Sequence, residues 1–160
     1  MADDSENTLI MTLDTGLVTI RLRPDLAPNH VARIKELARE GFYDQVVFHR
    51  VIDGFMAQGG DPTGTGTGAS DKPNLKAEFT DARHARGVCS MARASNPNSA
   101  NSQFFICLDE AGFLDRQYTV WGEVVDGMEN VDALPKGEPP RNPGRIVSMR
   151  VAADGEGAAA

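Results

Sequence analysis

The sequence predicts a mainly β domain: a closed eight-stranded antiparallel barrel capped by two helices, spanning residues 8–151 between flexible tails at 1–7 and 152–160. Three observations carry that expectation. Eight short runs have strand character, and turn residues separate nearly all of them. Only two segments keep a helical period of apolar residues. One domain with so many strands must dispose of its sheet edges, and closure removes them. An open sandwich satisfies the same composition.

The first strand, Leu9 to Leu13, crosses Asp14-Thr15-Gly16 into Leu17 to Arg23, where Val18, Ile20 and Leu22 alternate with Thr19, Arg21 and Arg23. The Gly-containing link makes the two a hairpin. Asn29 can cap a helix after Pro28, with Val31, Ile34, Leu37 and Ala38 on one face and Gly41 as the stop. Strand-like runs follow at Val46 to Ile52, Phe55 to Gly60, Gly87 to Ala92, Gln103 to Leu108 and Tyr118 to Val125. Asp126 caps a shorter helix, with Glu129 three residues on, Met128 and Val131 inward and Pro135 beyond its end. Ile146 to Val151 is the last strand. The stretch after it holds no large side chain that could pack.

Composition narrows the function. Hydrophobic residues at 41% and charged residues at 24% exclude wholesale disorder. The longest apolar runs fall far short of the roughly 20 residues a membrane span needs. A net charge of −7 makes the chain a poor general binder of nucleic acid or anionic membrane. Cys89 and Cys107 could form at most one disulfide; lacking CxxC spacing, they exclude a thioredoxin-like motif and a Cys-based zinc site. The start, Met1 to Glu6, is acidic and has no apolar stretch, so no signal peptide is read there and the cytoplasm is the expected compartment.

The glycine-rich run from Gly59 to Gly68 invites a phosphate-binding reading. Gly59 and Gly64 have P-loop spacing, but Thr65 stands where Lys is required and Pro62 removes an amide. Ala69 replaces the last Gly of a dinucleotide fingerprint, so the run reads as a flexible surface loop. His30, His49 and His84 are scattered, and no metal site or cofactor is expected. GxSxG is absent; Ser90 and Ser102 read as strand or loop residues. Met56, Met91 and Met128 read as core filler.

The large rings are more informative. Nine of ten aromatic residues fall in two windows, one from Phe42 to Phe55 and one from Phe104 to Trp121. On Val46 to Ile52 the period of two puts Arg50 on the face of Phe48 and Ile52. Arg is rarely buried without a partner, so Arg50 is a candidate site residue, a paired core arginine or the charge of an edge strand. Gln58 shares a face with Met56, and Gln103 with Phe105. One guanidinium, two carboxamides and apolar walls suit a neutral, partly apolar amide better than acid–base or metal chemistry.

The run Phe48 to Asp61, FHRVIDGFMAQGGD, resembles the signature of the cyclophilins, the cyclosporin-binding peptidyl-prolyl isomerases. Ser90 to Ala94, Asn101 to Ile106, Phe113-Leu114-Asp115 and Val120 to Val124 follow in the family's order, so the resemblance runs from about Leu9 to Val151. It implies an eight-stranded antiparallel barrel with two capping helices. The implied activity is cis–trans rotation of X–Pro bonds in unfolded or Pro-containing polypeptides, assisting folding, by a monomer without cofactor. A non-catalytic chaperone or scaffold module holding Pro-containing segments is the reading from another class. The resemblance makes Arg50 the catalytic arginine and Phe55, Met56, Phe105 and Leu114 the walls of a proline pocket. Gln58 and Gln103 match polar groups near the substrate backbone, and Ala92 with Arg93 matches the segment that pairs with the peptide. Phe113 stands where many eukaryotic members have Trp, Tyr118 where they have His, and Arg93 where they have Asn. The segment from Ala94 to Asn101 is one residue longer, and these choices resemble the bacterial branch. Phe113 lacks an indole N–H, so weakened cyclosporin binding is expected.

Overall fold

The computed structural model describes residues 5–66 and 68–153. The strands are β1 (Thr8–Leu13), β2 (Gly16–Leu22), β3 (Arg50–Ile52), β4 (Met56–Gly59), β5 (Val88–Met91), β6 (Phe104–Cys107), β7 (Val120–Asp126) and β8 (Ile146–Val151). Helix α1 (Pro28–Arg39) follows β2 and helix α2 (Met128–Asp132) follows β7, with 3₁₀ turns at Ser5–Asn7 and Gly112–Leu114. The strands form one antiparallel sheet in the order β3-β4-β6-β5-β7-β2-β1-β8. Among the described residues no helix is long and apolar enough to cross a membrane.

Alternation builds the core. Leu9, Met11 and Leu13 of β1 and Val18, Ile20 and Leu22 of β2 point inward, where Val31, Ile34 and Leu37 of α1 cover them. Phe104 stands edge-on to Tyr43, Phe48 and Trp121, with ring centroids 5.5, 6.1 and 5.8 Å away. Tyr43 satisfies its buried hydroxyl by donating to the Ser102 carbonyl at 2.7 Å.

Closure differs from the expectation. The sheet is a half-barrel, and no ladder joins its edge strands β3 and β8. An isolated Val47–Arg145 bridge and a few backbone bonds between residues 45–48 and 144–146 span the gap. Pro135, Pro139, Pro140 and Pro143 crowd the approach to β8 and carry no N–H, so a continuous ladder cannot propagate there. Gly137 instead pairs with Val51 and covers the β3 edge.

The helix caps also differ. Pro28 is the first helical residue of α1, and Ala27 at the N-cap makes no side-chain bond. The free amides of Asn29 and His30 donate instead to the Glu78 carboxylate, at 3.2 and 2.9 Å. At α2 the cap position belongs to Gly127 at φ 86°, and Asp126 ends β7. A side chain at Gly127 would strike the Leu17 carbonyl. Part of the expected N-terminal tail is tied down: in the turn Ser5–Asn7, Glu6 pairs with Lys35 at 2.7 Å and Arg39 at 2.9 Å on α1. The tail expectations for residues 1–4 and 154–160 lie outside the described residues. Cys89 and Cys107 are free thiols on opposite faces of the sheet, so they cannot pair.

Candidate active site

A second apolar cluster lies on the outer face of the half-barrel, built on Met56, Phe105, Cys107, Ala111 and Leu114. The period of two sorts the faces. On β4 Met56 and Gln58 face outward while Ala57 joins the main core; on β6 Phe105 and Cys107 face outward while Phe104 and Ile106 face in. Register then aligns one cross-strand row: Arg50 opposite Gln58, Gln58 opposite Phe105, Phe105 opposite Ser90. Phe48 does not share the face of Arg50, because Phe48 and Val51 both enter the main core and the alternation breaks before β3 begins. Nor is Arg50 a core arginine, since its side chain is 43% exposed.

These faces enclose a cavity of about 140 Å³. Phe55, Met56, Phe105 and Leu114 supply its apolar lining, Arg50 and Gln58 its polar side, and Ala92, Arg93 and Tyr118 its flank. Gln103 lies in an adjoining hollow of about 360 Å³ that shares Gln58, Ala92 and Arg93. Phe113 stays outside, 71% exposed, with its ring 5.5 Å from that of Phe55. The structure therefore gathers the candidate residues other than Phe113 around two adjoining hollows.

A directed chain of hydrogen bonds orients the polar groups. Arg50 Nε donates to Glu138 Oε1 at 3.0 Å, and Nη1 reaches Gln58 Oε1 at 3.4 Å. Gln58 Nε2 donates to Gln103 Oε1 at 3.0 Å, and Gln103 Nε2 donates to the carbonyls of Gly66 and Gly68, both at 3.0 Å. Each carboxamide is thus turned by its neighbour. Arg93 donates twice to the Gln117 carbonyl and lies 4.7 Å over the Tyr118 ring, whose edge meets Phe105 at 5.5 Å.

The glycine-rich run is not a plain flexible loop. It wraps around Asp61, a fully buried carboxylate that accepts the amides of Thr63, Thr65, Gly66 and Gly68 and the Thr63 hydroxyl. The amides a phosphate would need are already engaged by the chain's own anion. Gly60, at φ 97°, has no room for a side chain against the Ser102 carbonyl, and one at Gly68 would strike Asp61. Sequence reasoning missed Asp61, Glu138 and a buried His84–Ser90 pair. Only Asp61 had a local signal, an Asp heading a Thr- and Gly-rich turn.

Residues 8–151 match the family model described as cyclophilin type peptidyl-prolyl cis-trans isomerase/CLD. A probable peptidyl-prolyl cis-trans isomerase of Brucella suis is 50% identical, with 96% of this chain and 86% of that protein aligned. A peptidyl-prolyl cis-trans isomerase of Synechococcus elongatus is 39% identical over 91% of this chain and 96% of its own. Among solved structures, a cyclophilin of Hirschia baltica superposes with a TM-score of 0.89 at 33% identity, covering 96% of this chain and 77% of that one. A Cryptosporidium parvum cyclophilin studied in the presence of the dipeptide Ala-Pro gives 0.84 at 30% identity, covering 90% and 98%. With the family model running from β1 to β8 and a relative of that name identical at half of the aligned positions, the chain belongs to the cyclophilin-type peptidyl-prolyl cis-trans isomerases.

Proposed function

We propose that the cavity beside Arg50 binds proline and that Arg50 catalyses rotation of the preceding peptide bond. Phe55, Met56, Phe105 and Leu114 grip the ring, Gln58, Gln103 and the Ala92–Arg93 segment hold the flanking chain, and Phe113 with Tyr118 forms the rim. The X–Pro bond rotates slowly, over roughly tens to hundreds of seconds, because amide resonance must be lost. No covalent bond breaks, so it suffices to bind the twisted amide better than either planar form. In the twisted state the prolyl nitrogen becomes pyramidal and regains a lone pair. A guanidinium donor fixed beforehand interacts more strongly with that lone pair than with a planar amide nitrogen. One observation carries the reading: a guanidinium, bonded to Glu138 and Gln58, beside the apolar wall of Phe55, Met56, Phe105 and Leu114.

Exchange NMR or a protease-coupled assay on an Ala-Pro peptide tests it. An acceleration on the order of 10⁵, equivalent to about 7 kcal/mol, is expected. Binding without acceleration would replace the enzyme by a module that only holds Pro-containing segments. On the proposed reading the clients are unfolded or Pro-containing polypeptides in the cytoplasm, met by a monomer. The net charge of −7 disfavours nucleic acid and anionic membranes as partners.

The rate is expected to be nearly flat between about pH 6 and 9, because Arg stays protonated throughout. No carboxylate or imidazole lines the cavity among the described residues. Burial pushes His30, His49 and His84 below the ordinary imidazole value, outweighing the opposing pull of Glu78, Asp61 and Asp115 respectively. In that window each carries less charge than a free imidazole would. A bell-shaped profile centred near neutrality would implicate His49, the neighbour of Arg50, and contradict the mechanism. Stability behaves differently. The neutral rings stabilise the fold fully above the unfolded value of about 6.5, and that contribution is lost as the pH falls below it.

Cyclosporin is expected to bind more weakly than to relatives with Trp at this place, since the exposed Phe113 ring offers no N–H donor. Phe113→Trp should tighten binding by about 1–2 kcal/mol, the range of one hydrogen bond plus added contact. Calorimetry showing no gain, with the fold intact, would remove Phe113 as the cause.

A further inference from the structure

Beside the proposed proline pocket lies a buried polar chain that the mechanism above does not use. His84 and Ser90 are 1% and 0% exposed, and neither lines the cavity. His84 Nδ1 lies 3.1 Å from Asp115 Oδ1, and Nε2 lies 2.9 Å from Ser90 Oγ. Ser90 Oγ is also 2.9 Å from the Thr119 carbonyl, and the His84 backbone N–H donates to Asp115 at 2.7 Å. The order of groups is that of a serine hydrolase relay. A nucleophile must reach a substrate carbonyl, however, and this hydroxyl is sealed inside the fold. The chain therefore serves something other than nucleophilic attack.

Each of its members touches an element that carries a pocket wall. Asp115 caps the turn Gly112–Leu114, which presents Leu114. Ser90 is the cross-strand partner of Phe105. The His84 ring lies nearly parallel to that of Phe105, 6.1 Å between centroids and tilted by 19°. Thr119 follows Tyr118, whose ring meets Phe105 edge-on from another side. Phe105 thus meets an imidazole nearly parallel to it and a phenol edge-on, and the imidazole has a polar neighbour at each nitrogen.

The protonation pattern follows from the partners. A carboxylate only accepts, so Asp115 places the ring proton on Nδ1 and leaves Nε2 as an acceptor. Burial outweighs Asp115 and pushes the ring below the ordinary imidazole value, toward the neutral form. The single Ser90 proton then has two acceptors in reach, Nε2 and the Thr119 carbonyl. Asp115 thus fixes the imidazole at Nδ1, while Nε2 shares the one Ser90 proton with the Thr119 carbonyl.

We propose that His84, oriented by Asp115 and Ser90, is a positioning residue for the isomerase reaction, setting the plane of Phe105 and the place of Leu114 relative to Arg50. The proposal rests on the reading of this cavity as the proline site. Apolar contact with the ring tolerates small shifts, whereas the distance from a donor to the pyramidal nitrogen matters only in the transition state. Loss of positioning should therefore appear in kcat and hardly in KM.

Three substitutions separate the links. His84→Leu keeps bulk and removes both bonds. His84→Asn puts an amide nitrogen near the place of Nδ1 and keeps the Asp115 link, and His84→Gln reaches toward the place of Nε2 and keeps the Ser90 link. Turnover on an Ala-Pro peptide, thermal melting and the aromatic NMR shifts of Phe105 are measured on each. The expected result is a kcat lowered roughly tenfold in the Leu variant with KM within about twofold, since a misplaced wall costs rate rather than ring binding. Partial recovery is expected in the Asn and Gln variants, with Phe105 shifts that follow kcat and not the melting temperature. Should the Leu variant fail to fold, Asp115→Ala, at a partly exposed position, replaces it; it removes the oxygen that accepts both His84 bonds and should lower kcat and move the Phe105 signals. Folded variants with wild-type kcat overturn the proposal. So does a kcat that falls only with the folded fraction while the Phe105 shifts stay fixed. A wild-type protein that binds without accelerating would refute the catalytic reading of the cavity and leave it a proline-holding site, and the Phe105 shifts would still report whether His84 sets that ring.

Discussion

Arg50→Ala is expected to lower kcat on an Ala-Pro peptide by roughly 10²–10³, the loss typical of one preorganised donor. Peptide affinity should fall much less, because Phe55, Met56, Phe105 and Leu114 still enclose the ring. Stability should hardly change. The Arg50–Glu138 pair is about half exposed on both sides, and such surface pairs are worth about 0–1 kcal/mol. Arg50→Lys should be nearly as poor as Ala. The guanidinium gives Nε to Glu138 and Nη1 to Gln58 while its fixed fork still lines the cavity, and an ammonium on a flexible stem cannot keep that geometry. A structural arginine would behave otherwise, with a lowered melting temperature and activity lost only as the protein unfolds. Exchange NMR, peptide titration and thermal melting on the same three proteins tell these apart. An Ala variant that stays folded and keeps full turnover would leave the mechanism without its central group.

What was legible in the sequence was whatever depends on neighbours along the chain. Alternation at Val18, Ile20 and Leu22 is a local property, and it gave β2 its inward face. The same rule sorted Gln58 with Met56 and Gln103 with Phe105. It failed at Arg50 because the strand there is only three residues long, and the period cannot be carried back to Phe48. Contacts between distant segments were not legible. The amides that open α1 are met by Glu78, and the guanidinium of Arg50 is braced by Glu138, 88 positions away. Neither carboxylate has a neighbour in sequence that marks it. Closure failed for a related reason: counting strands cannot show that the approach to β8 is too rich in proline to continue a ladder. The family resemblance supplied the candidate site residues, but not the bonds that orient them.

Asp61 orients them from the far end, and replacing it should have the largest effect on stability. Its two oxygens face the amides of Thr63, Thr65, Gly66 and Gly68, all donors, inside a fully buried pocket. Asp61→Asn turns an NH₂ toward part of that set, donor against donor, and removes the charge. Each buried donor left unsatisfied costs about 1–3 kcal/mol, so a total near 3 kcal/mol is expected after the loop relaxes. For a chain of this size that corresponds to roughly 6–12 °C in melting temperature. Turnover should fall as well in the folded protein, because the Gly66 and Gly68 carbonyls that turn Gln103 belong to the same loop. The pH dependence gives a sharper test. Burial alone would raise the carboxyl, but the amides of Gly68, Thr63 and Gly66 and the Thr63 hydroxyl hold it far below the usual carboxylate range. A depressed folded-state value makes the stabilisation complete above the unfolded value of about 3.9 and removes it as the pH falls further. The stability gap between wild type and Asp61→Asn should therefore be constant from about pH 5 to 7 and narrow between about pH 4 and 2. Denaturant titrations across that range measure it directly. A gap that persists unchanged to pH 2 would mean that the loop is held by its shape and not by the Asp61 charge.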